Sequence, residues 1–430
     1  MLSIPIERFT LDNGLRVNLS HDATTPVVAI NLWYGVGSRN EREGKTGFAH
    51  LFEHMMFQGS EHVPKNRHFE LIERAGGSLN ATTWFDRTNY FETVPSHHLE
   101  LGLWLESDRM GWMLPAMTQE KLDNQRDVVI NEKRQRYDNQ PYGDWDEWIQ
   151  AMVFPESHPY HHTVIGSMAD IEAATLEDVA EFFRTYYVPN NAVLTMCGDF
   201  DRDEALAHVE RHFGGIPAGG EIPAIPGEPN LDPIIGGTVR ERVEAKVPLP
   251  RVVIAFRVPA YTHADFYAAD VAGSVLGTGR ASRLYRSLVR ERRMAKDVTS
   301  FVFPLTTGAG MLLTWATGFP DGDPAELEAA LVAELEGLVS VTGGELERAI
   351  ALTETGLVRQ IEQVGQRADL VSMFDQLFDD PERLNGELER LRAVTPADVS
   401  AFVERFLGAD NRAILTYVPE TSNPQTPSGP

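Results

Sequence analysis

The sequence predicts an α+β protein built from two homologous α/β-sandwich-like domains. Each would carry a mixed, mainly antiparallel sheet covered by helices, and the pair would stem from an internal duplication. Three observations predict this. Strand-like and helix-like apolar patterns alternate along all 430 residues. Thr175-Leu176-Glu177-Asp178-Val179-Ala180-Glu181-Phe182-Phe183 recurs as Thr395-Pro396-Ala397-Asp398-Val399-Ser400-Ala401-Phe402-Val403. Each copy opens with Thr and places Asp three residues later, a helix-start pattern, and each is followed by a short strand, Ala192–Thr195 or Ala413–Thr416. Between the copies, residues 216–237 hold five prolines and five glycines, which reads as a linker. The expected division is therefore 1–215, linker 216–237, and 238–430.

The elements follow in order. Phe9 to Leu19 reads as a hairpin turning at Asp12-Asn13-Gly14. Val27 to Gly35 is an apolar strand. Phe48 to Phe57 lacks Gly and Pro and reads as a helix, opened near Lys45-Thr46-Gly47 and closed near Gly59-Ser60. Phe69–Glu73 is a further helix, and Ser78–Pro95 a pair of strands. His97 to Met113 is a helix whose Leu99, Leu101, Leu103, Trp104 and Leu105 bury part of its surface. The charged segment Thr118–Tyr137 carries a helical apolar stripe at Leu122, Val129 and Ile130.

The chemistry lies in His50-Leu51-Phe52-Glu53-His54, an H-x-x-E-H sequence. On a helix His50 and His54 stand one turn apart on one face, so two imidazoles can hold one Zn²⁺. Glu53 projects beside them, within reach of a proton on a metal-bound water. Two histidines on a helix are often only surface groups. Here Leu51, Phe52, Met55, Met56 and Phe57 make the surroundings apolar, and polar groups buried there need a partner. Glu132 is the candidate third ligand, one turn after Val128 and Val129. Glu120 competes, but it sits in a first turn, where an acid complements the helix dipole. Read alone, Glu132 is equally an ordinary solvated charge.

Together these residues resemble the inverzincin peptidases: pitrilysin, insulin-degrading enzyme and the mitochondrial processing peptidase. The resemblance rests on His50, Glu53 and His54, on Arg126-Asp127-Val128-Val129-Ile130-Asn131-Glu132, on Gly76-Gly77-Ser78-Leu79-Asn80-Ala81-Thr82-Thr83, and on Gly279-Arg280-Ala281-Ser282-Arg283-Leu284-Tyr285. It runs from about Phe9 to about Tyr417. It implies a zinc metalloendopeptidase with one Zn²⁺ on His50, His54 and Glu132, and Glu53 as general base. It implies that Asn80, Ala81 and Thr82 form an edge strand receiving the peptide, and that two such domains make half of a clamshell. Two positions depart from the family pattern. Gln125 stands where a supporting glutamate is common. In the second half, Arg290 matches an Arg that reaches the substrate, but Lys296 or Asp297 stands where a Tyr follows it. The resemblance therefore implies the zinc-bearing subunit of a bacterial heterodimer, with a metal-free homologue supplying the Arg/Tyr pair. A homodimer or an inactive assembly subunit are the alternatives.

Composition agrees with a soluble globular enzyme, with 42% hydrophobic and 23% charged residues. A formal net charge of −25 opposes binding to nucleic acid or anionic membranes. The single Cys197 excludes an internal disulfide. No apolar run is long enough to span a bilayer. No signal peptide is read at the start, so the expected location is cytoplasmic, or periplasmic if a signal was trimmed. His158-Pro159-Tyr160-His161-His162 reads as a loop near the cleft, because consecutive histidines do not share a helix face. Trp145 and Trp148 read as core or interface residues.

Overall fold

A computed structural model describes residues 2–420. The strands are β1 (Glu7–Thr10), β2 (Arg16–His21), β3 (Val27–Tyr34), β4 (Ser78–Thr83), β5 (Thr88–Pro95), β6 (Ala192–Gly198), β7 (Gly237–Ala245), β8 (Arg251–Pro259), β9 (Ala295–Phe303), β10 (Ala309–Gly318) and β11 (Asn411–Pro419). The α-helices are α1 (Phe48–Met55), α2 (Arg67–Arg74), α3 (Leu99–Trp112), α4 (Gln119–Lys133), α5 (Trp145–Val153), α6 (Met168–Ala173), α7 (Leu176–Tyr186), α8 (Arg202–Phe213), α9 (Phe266–Gly277), α10 (Pro324–Gly337), α11 (Gly343–Glu362), α12 (Val364–Phe378), α13 (Glu387–Ala393) and α14 (Pro396–Phe406).

The chain forms two compact units, and each takes segments from both ends of the sequence. Unit 1 comprises the chain up to Lys133, Glu156–Pro229 and Glu354–Ala393. Unit 2 comprises Arg134–Pro155, Asn230–Thr353 and the chain from Val394 on. The stretch 216–236 contains no helix or strand. The division at 216–237 is thus a division along the sequence, whereas in space the two units exchange 134–155 and 354–393.

The sheet of unit 1 has the order β1-β2-β6-β3-β5-β4. Only β2 and β6 run parallel; every other neighbour is antiparallel. Alternation along β3 sends successive side chains to opposite faces. Ala29 packs with Cys197 of β6 and Ala368 of α12, small groups that let this helix lie close on one face. Ile30 points to the other face, where α3 comes so near that a Cβ on Gly102 would lie 2.4 Å from the Ile30 side chain. Polar anchors complete the attachment of α12. The fully buried Asp375 accepts from Arg16 at 2.8 Å, Arg8 at 2.9 Å and Asn18 at 2.7 Å. A buried carboxylate needs such compensation.

Unit 2 repeats this plan. Its sheet order is β7-β11-β8-β10-β9, with β7 and β11 parallel and the rest antiparallel. Strand by strand this matches β2-β6-β3-β5-β4. The helix before the last strand opens identically in both units. Thr175 caps α7 with Asp178 reciprocating, and Thr395 caps α14 with Asp398 reciprocating. In unit 2, α5 occupies the sheet as α12 does in unit 1, packing on β11 and β8. Trp145 of α5 faces Trp315 and Phe303, with ring centres 6.0 and 6.4 Å away, in keeping with its reading as a core residue. Trp148 is partly exposed and donates to Asp144 at 2.9 Å. These features establish the mixed α/β, two-sheet architecture expected from the duplication.

Candidate metal centre

Helix α1 begins at a built junction. Gly47 has φ +83°, and a Cβ there would lie 2.6 Å from the Ile165 carbonyl oxygen, so both conformation and space require glycine. The first N–H groups of a helix lack intrahelical partners. Here the buried Glu41 carboxylate accepts from Gly47 N at 2.8 Å and Ala49 N at 2.7 Å. His162 Nε2 lies 2.8 Å from the same carboxylate and 3.1 Å from the Ser38 carbonyl oxygen. Burial pushes the Glu41 pKa up, opposed by its bonds to His162 and the helix amides. For His162, burial acts downward, but the hydrogen bond and charge of Glu41 prevail and raise its pKa.

The apolar face of α1 fixes the direction of the rest. Phe52 is 2 % exposed and packs on Phe182, Phe183 and Tyr187, with the Tyr187 ring centre 4.1 Å away. The opposite face then presents His50, Glu53 and His54. The two imidazole centres are 4.8 Å apart. Helix α4 brings Glu132 against them: its Oε2 lies 3.3 Å from His54 Nε2 and 3.8 Å from His50 Nε2. Glu120 stays exposed in the first turn of α4. One donor atom from each of His50, His54 and Glu132 lies within 4.8 Å of the others. Zinc bonds of about 2.0–2.2 Å in a tetrahedron separate ligand atoms by roughly 3.3–3.5 Å. The two Glu132 separations of 3.3 and 3.8 Å are close to this, so the donor set of two imidazoles and one carboxylate fits zinc.

Glu53 stands beside this cluster on α1. Its Oε2 accepts from Thr83 Oγ1 of β4 at 2.6 Å. Burial raises its pKa, while the Thr83 bond and the nearby His54 and Arg87 act in the opposite direction. Arg87 donates to the Thr82 carbonyl at 2.8 Å and to Asn89 Oδ1 at 3.1 Å. Asn89 in turn donates to Asp369 of α12 at 2.9 Å.

Among the described residues strand β4 is the outer strand of its sheet, paired with β5 alone. Asn80 is exposed on it, Ala81 is buried, and Thr82 donates to Asn89 at 2.6 Å. Asn80 Oδ1 accepts from Ala81 N at 2.9 Å. A cleft of about 280 Å³ is lined by Glu53, His54, Phe57, Phe69, Asn80 and Gln125. Gln125 is 6 % exposed and donates to Asn124 at 2.9 Å.

The structure thus brings together the sequence-derived candidates of the first half. Arg290 belongs to unit 2, exposed in the π-helical turn Tyr285–Glu291. Lys296 is exposed at the start of β9, and Asp297 accepts from Thr317 at 3.0 Å. The sequence singled out none of Glu41, Arg87 and Asp369, held Thr83 only as the end of the Gly76–Thr83 segment, and gave His162 only as loop. An acid shortly before a helix start was the one local signal, pointing to Glu41.

Comparison with known proteins decides the family. The profile of the insulinase family (Peptidase family M16) matches residues 16–154, and that of the Peptidase M16 inactive domain matches residues 173–353. The zinc protease PqqE of Helicobacter pylori is 32% identical over 380 residues, covering 87% of this chain and 81% of that protein. The chain belongs to peptidase family M16. The crystal structure of a protease from Helicobacter pylori superposes with a TM-score of 0.91 at 28% identity, covering 97% of this chain and all of that one. The beta subunit of the mitochondrial-processing peptidase of Bos taurus is 28% identical over 290 residues, covering 64% of this chain and 55% of that protein. The M16 relatives support a peptidase of the zinc-protease type. Among the described residues no helix is long and apolar enough to cross a membrane.

Proposed function

We propose that this M16 chain is a zinc endopeptidase acting on peptides or small unfolded polypeptides, with His50, His54 and Glu132 holding the metal. One observation carries the reading: three donor atoms within 4.8 Å of one another, beside a carboxylate and an unpaired strand edge. Zinc, when bound there, supplies Lewis acidity toward the attacking water and the scissile carbonyl.

The chain's own residues do the rest. Glu53 takes a proton from the attacking water and delivers it to the leaving amine. Thr83 donates to one carboxylate oxygen of Glu53 and so fixes the orientation of this cleft-lining side chain. Asn80, Ala81 and Thr82 of β4 receive the peptide backbone as an added strand, which gives broad tolerance of side chains. A docked strand would exchange the local Asn80–Ala81 bond for its own. Gln125 supports the cleft wall by packing.

The reading extends to a partner. A developing oxyanion gains from a second hydrogen-bond donor. Arg290 matches the family's Arg, but at the Tyr position Lys296 is an exposed ammonium and Asp297 an acceptor held by Thr317, so neither offers a phenol hydroxyl. The mitochondrial-processing peptidase relative is named as a subunit, which supports pairing with a second chain; the proposed partner is a metal-free homologue that supplies the Arg/Tyr pair. The test is peptide digestion, read by mass spectrometry, by the chain alone and with such a homologue. Weak cleavage alone, a gain of at least tenfold with the partner and loss on chelation are expected. Full activity of the isolated chain would refute the need for a partner, and activity unaffected by chelation would refute the zinc-dependent mechanism.

A further inference from the structure

A second cluster of metal-binding type lies outside this centre. His208 and His212 stand one turn apart on α8, and Glu100 of α3 reaches between them. Glu100 Oε1 is 3.4 Å from His208 Nδ1 and 3.2 Å from His212 Nε2. His208 is 8 % exposed, and among the described residues its buried Nδ1 has no hydrogen-bond partner. Its other nitrogen, Nε2, faces Glu204 Oε1 at 3.5 Å. Carboxylates thus face both nitrogens, and a neutral imidazole carries one N–H for the two. One nitrogen is left with its lone pair against a carboxylate oxygen, an arrangement that a second proton or a metal cation relieves. Arg211 also reaches Glu100 Oε1, at 2.7 Å, but its side chain is 61 % exposed and free to swing into solvent. The third grouping of this type, His68 with Glu92 and Glu106, already holds a cation, the buried guanidinium of Arg109.

We propose that Glu100, His208 and His212 form a second zinc site, distinct from that of His50, His54 and Glu132, which ties α3 to α8. Two imidazoles and one carboxylate are the donor set of a borderline cation such as Zn²⁺ rather than of Ca²⁺ or Mg²⁺. Glu204 orients His208, and Arg211 competes for Glu100. Binding to the folded chain alone raises thermal stability by mass action.

The test uses the full chain carrying His50→Ala and His54→Ala, so that the first centre is removed and peptidase activity plays no part. Zinc content after dialysis against micromolar free Zn²⁺ is expected at about one ion per chain. Adding His212→Ala should abolish it, with the circular dichroism spectrum unchanged. Arg211→Ala in its place should tighten binding by about tenfold, because it removes the competing cation. Cobalt substitution should give visible absorption lost with His212→Ala. No zinc in the His50/His54 variant, or zinc that survives His212→Ala, overturns the proposal. So does an Arg211→Ala variant that loses thermal stability without any gain in zinc affinity, which is the signature of a plain ion-pair tie. Failure here leaves the first centre untouched, and failure of the first centre leaves this experiment readable.

Discussion

Units 1 and 2 share a sheet order and a capped helix, yet differ at the helix facing the outer strand. In unit 1 this helix is α1, where Glu53 and His54 line a cleft and His50 stands beside them. In unit 2 it is α9, and counting from the first helical residue the same positions are Ala268, Val271 and Ala272, which are 7%, 0% and 0% exposed. Helix α9 also lies close on β9: a Cβ on Gly277 would sit 2.1 Å from Ser300 N. The corresponding pair α1 and β4 meets instead through Glu53 and Thr83. Duplication kept the sheet. Function then depends on whether the helix is shaped to pack tightly or to leave polar groups at an opening.

This contrast can be broken in several places. The largest effect is expected at Phe52, the apolar anchor of α1. Phe52→Ala should cost about 3–5 kcal/mol in urea unfolding and lower zinc affinity, because the histidine face loses its fixed direction. In unit 2, Ala272→His should cost about 1–3 kcal/mol through overpacking and create no zinc site, as read by denaturation and metal content. A tolerated histidine there would show that α9 is not sealed against its sheet.

The cap of α1 gives a pH-dependent test. Glu41→Gln should cost about 1–3 kcal/mol, since a charged acceptor of two backbone amides is replaced by a neutral one. Both Glu41 and His162 have raised pKa values in the fold. A raised folded pKa gives stability that is present at low pH and lost as pH rises through that value. For His162 this loss begins above its ordinary value of about 6.5. The stability difference between the native chain and Glu41→Gln should therefore shrink as pH rises above about 6.5. A difference that grows over this range would contradict the assigned pair. The smallest effect concerns what the units share. Thr175→Ala and Thr395→Ala should each cost about 1 kcal/mol, and unequal costs would show that the two capped helices are not equivalent.

Much of the site was legible because its signals are local. His50, Glu53 and His54 lie within one helical turn, and the stripe of α4 turns Glu132 inward. The duplication was legible in the paired Thr-x-x-Asp caps. The exchange of 134–155 and 354–393 was not, because the amphipathic pattern of a helix states that it covers a sheet and not which sheet. The Glu41–His162 pair spans 121 residues, and no periodicity links such positions. Asp369 was passed over for the same reason, since it joins Asn31 and Asn89 only once α12 lies on β3.

The central claim is that Glu53 moves the proton at a centre held by His50, His54 and Glu132. Glu53→Gln keeps size and the Thr83 contact while removing the base. The account predicts unchanged zinc at that centre and a kcat lower by roughly 10²–10⁴-fold, measured on the assembly that cleaves peptides. Near-native turnover by this variant, with its zinc retained, would contradict the role assigned to Glu53.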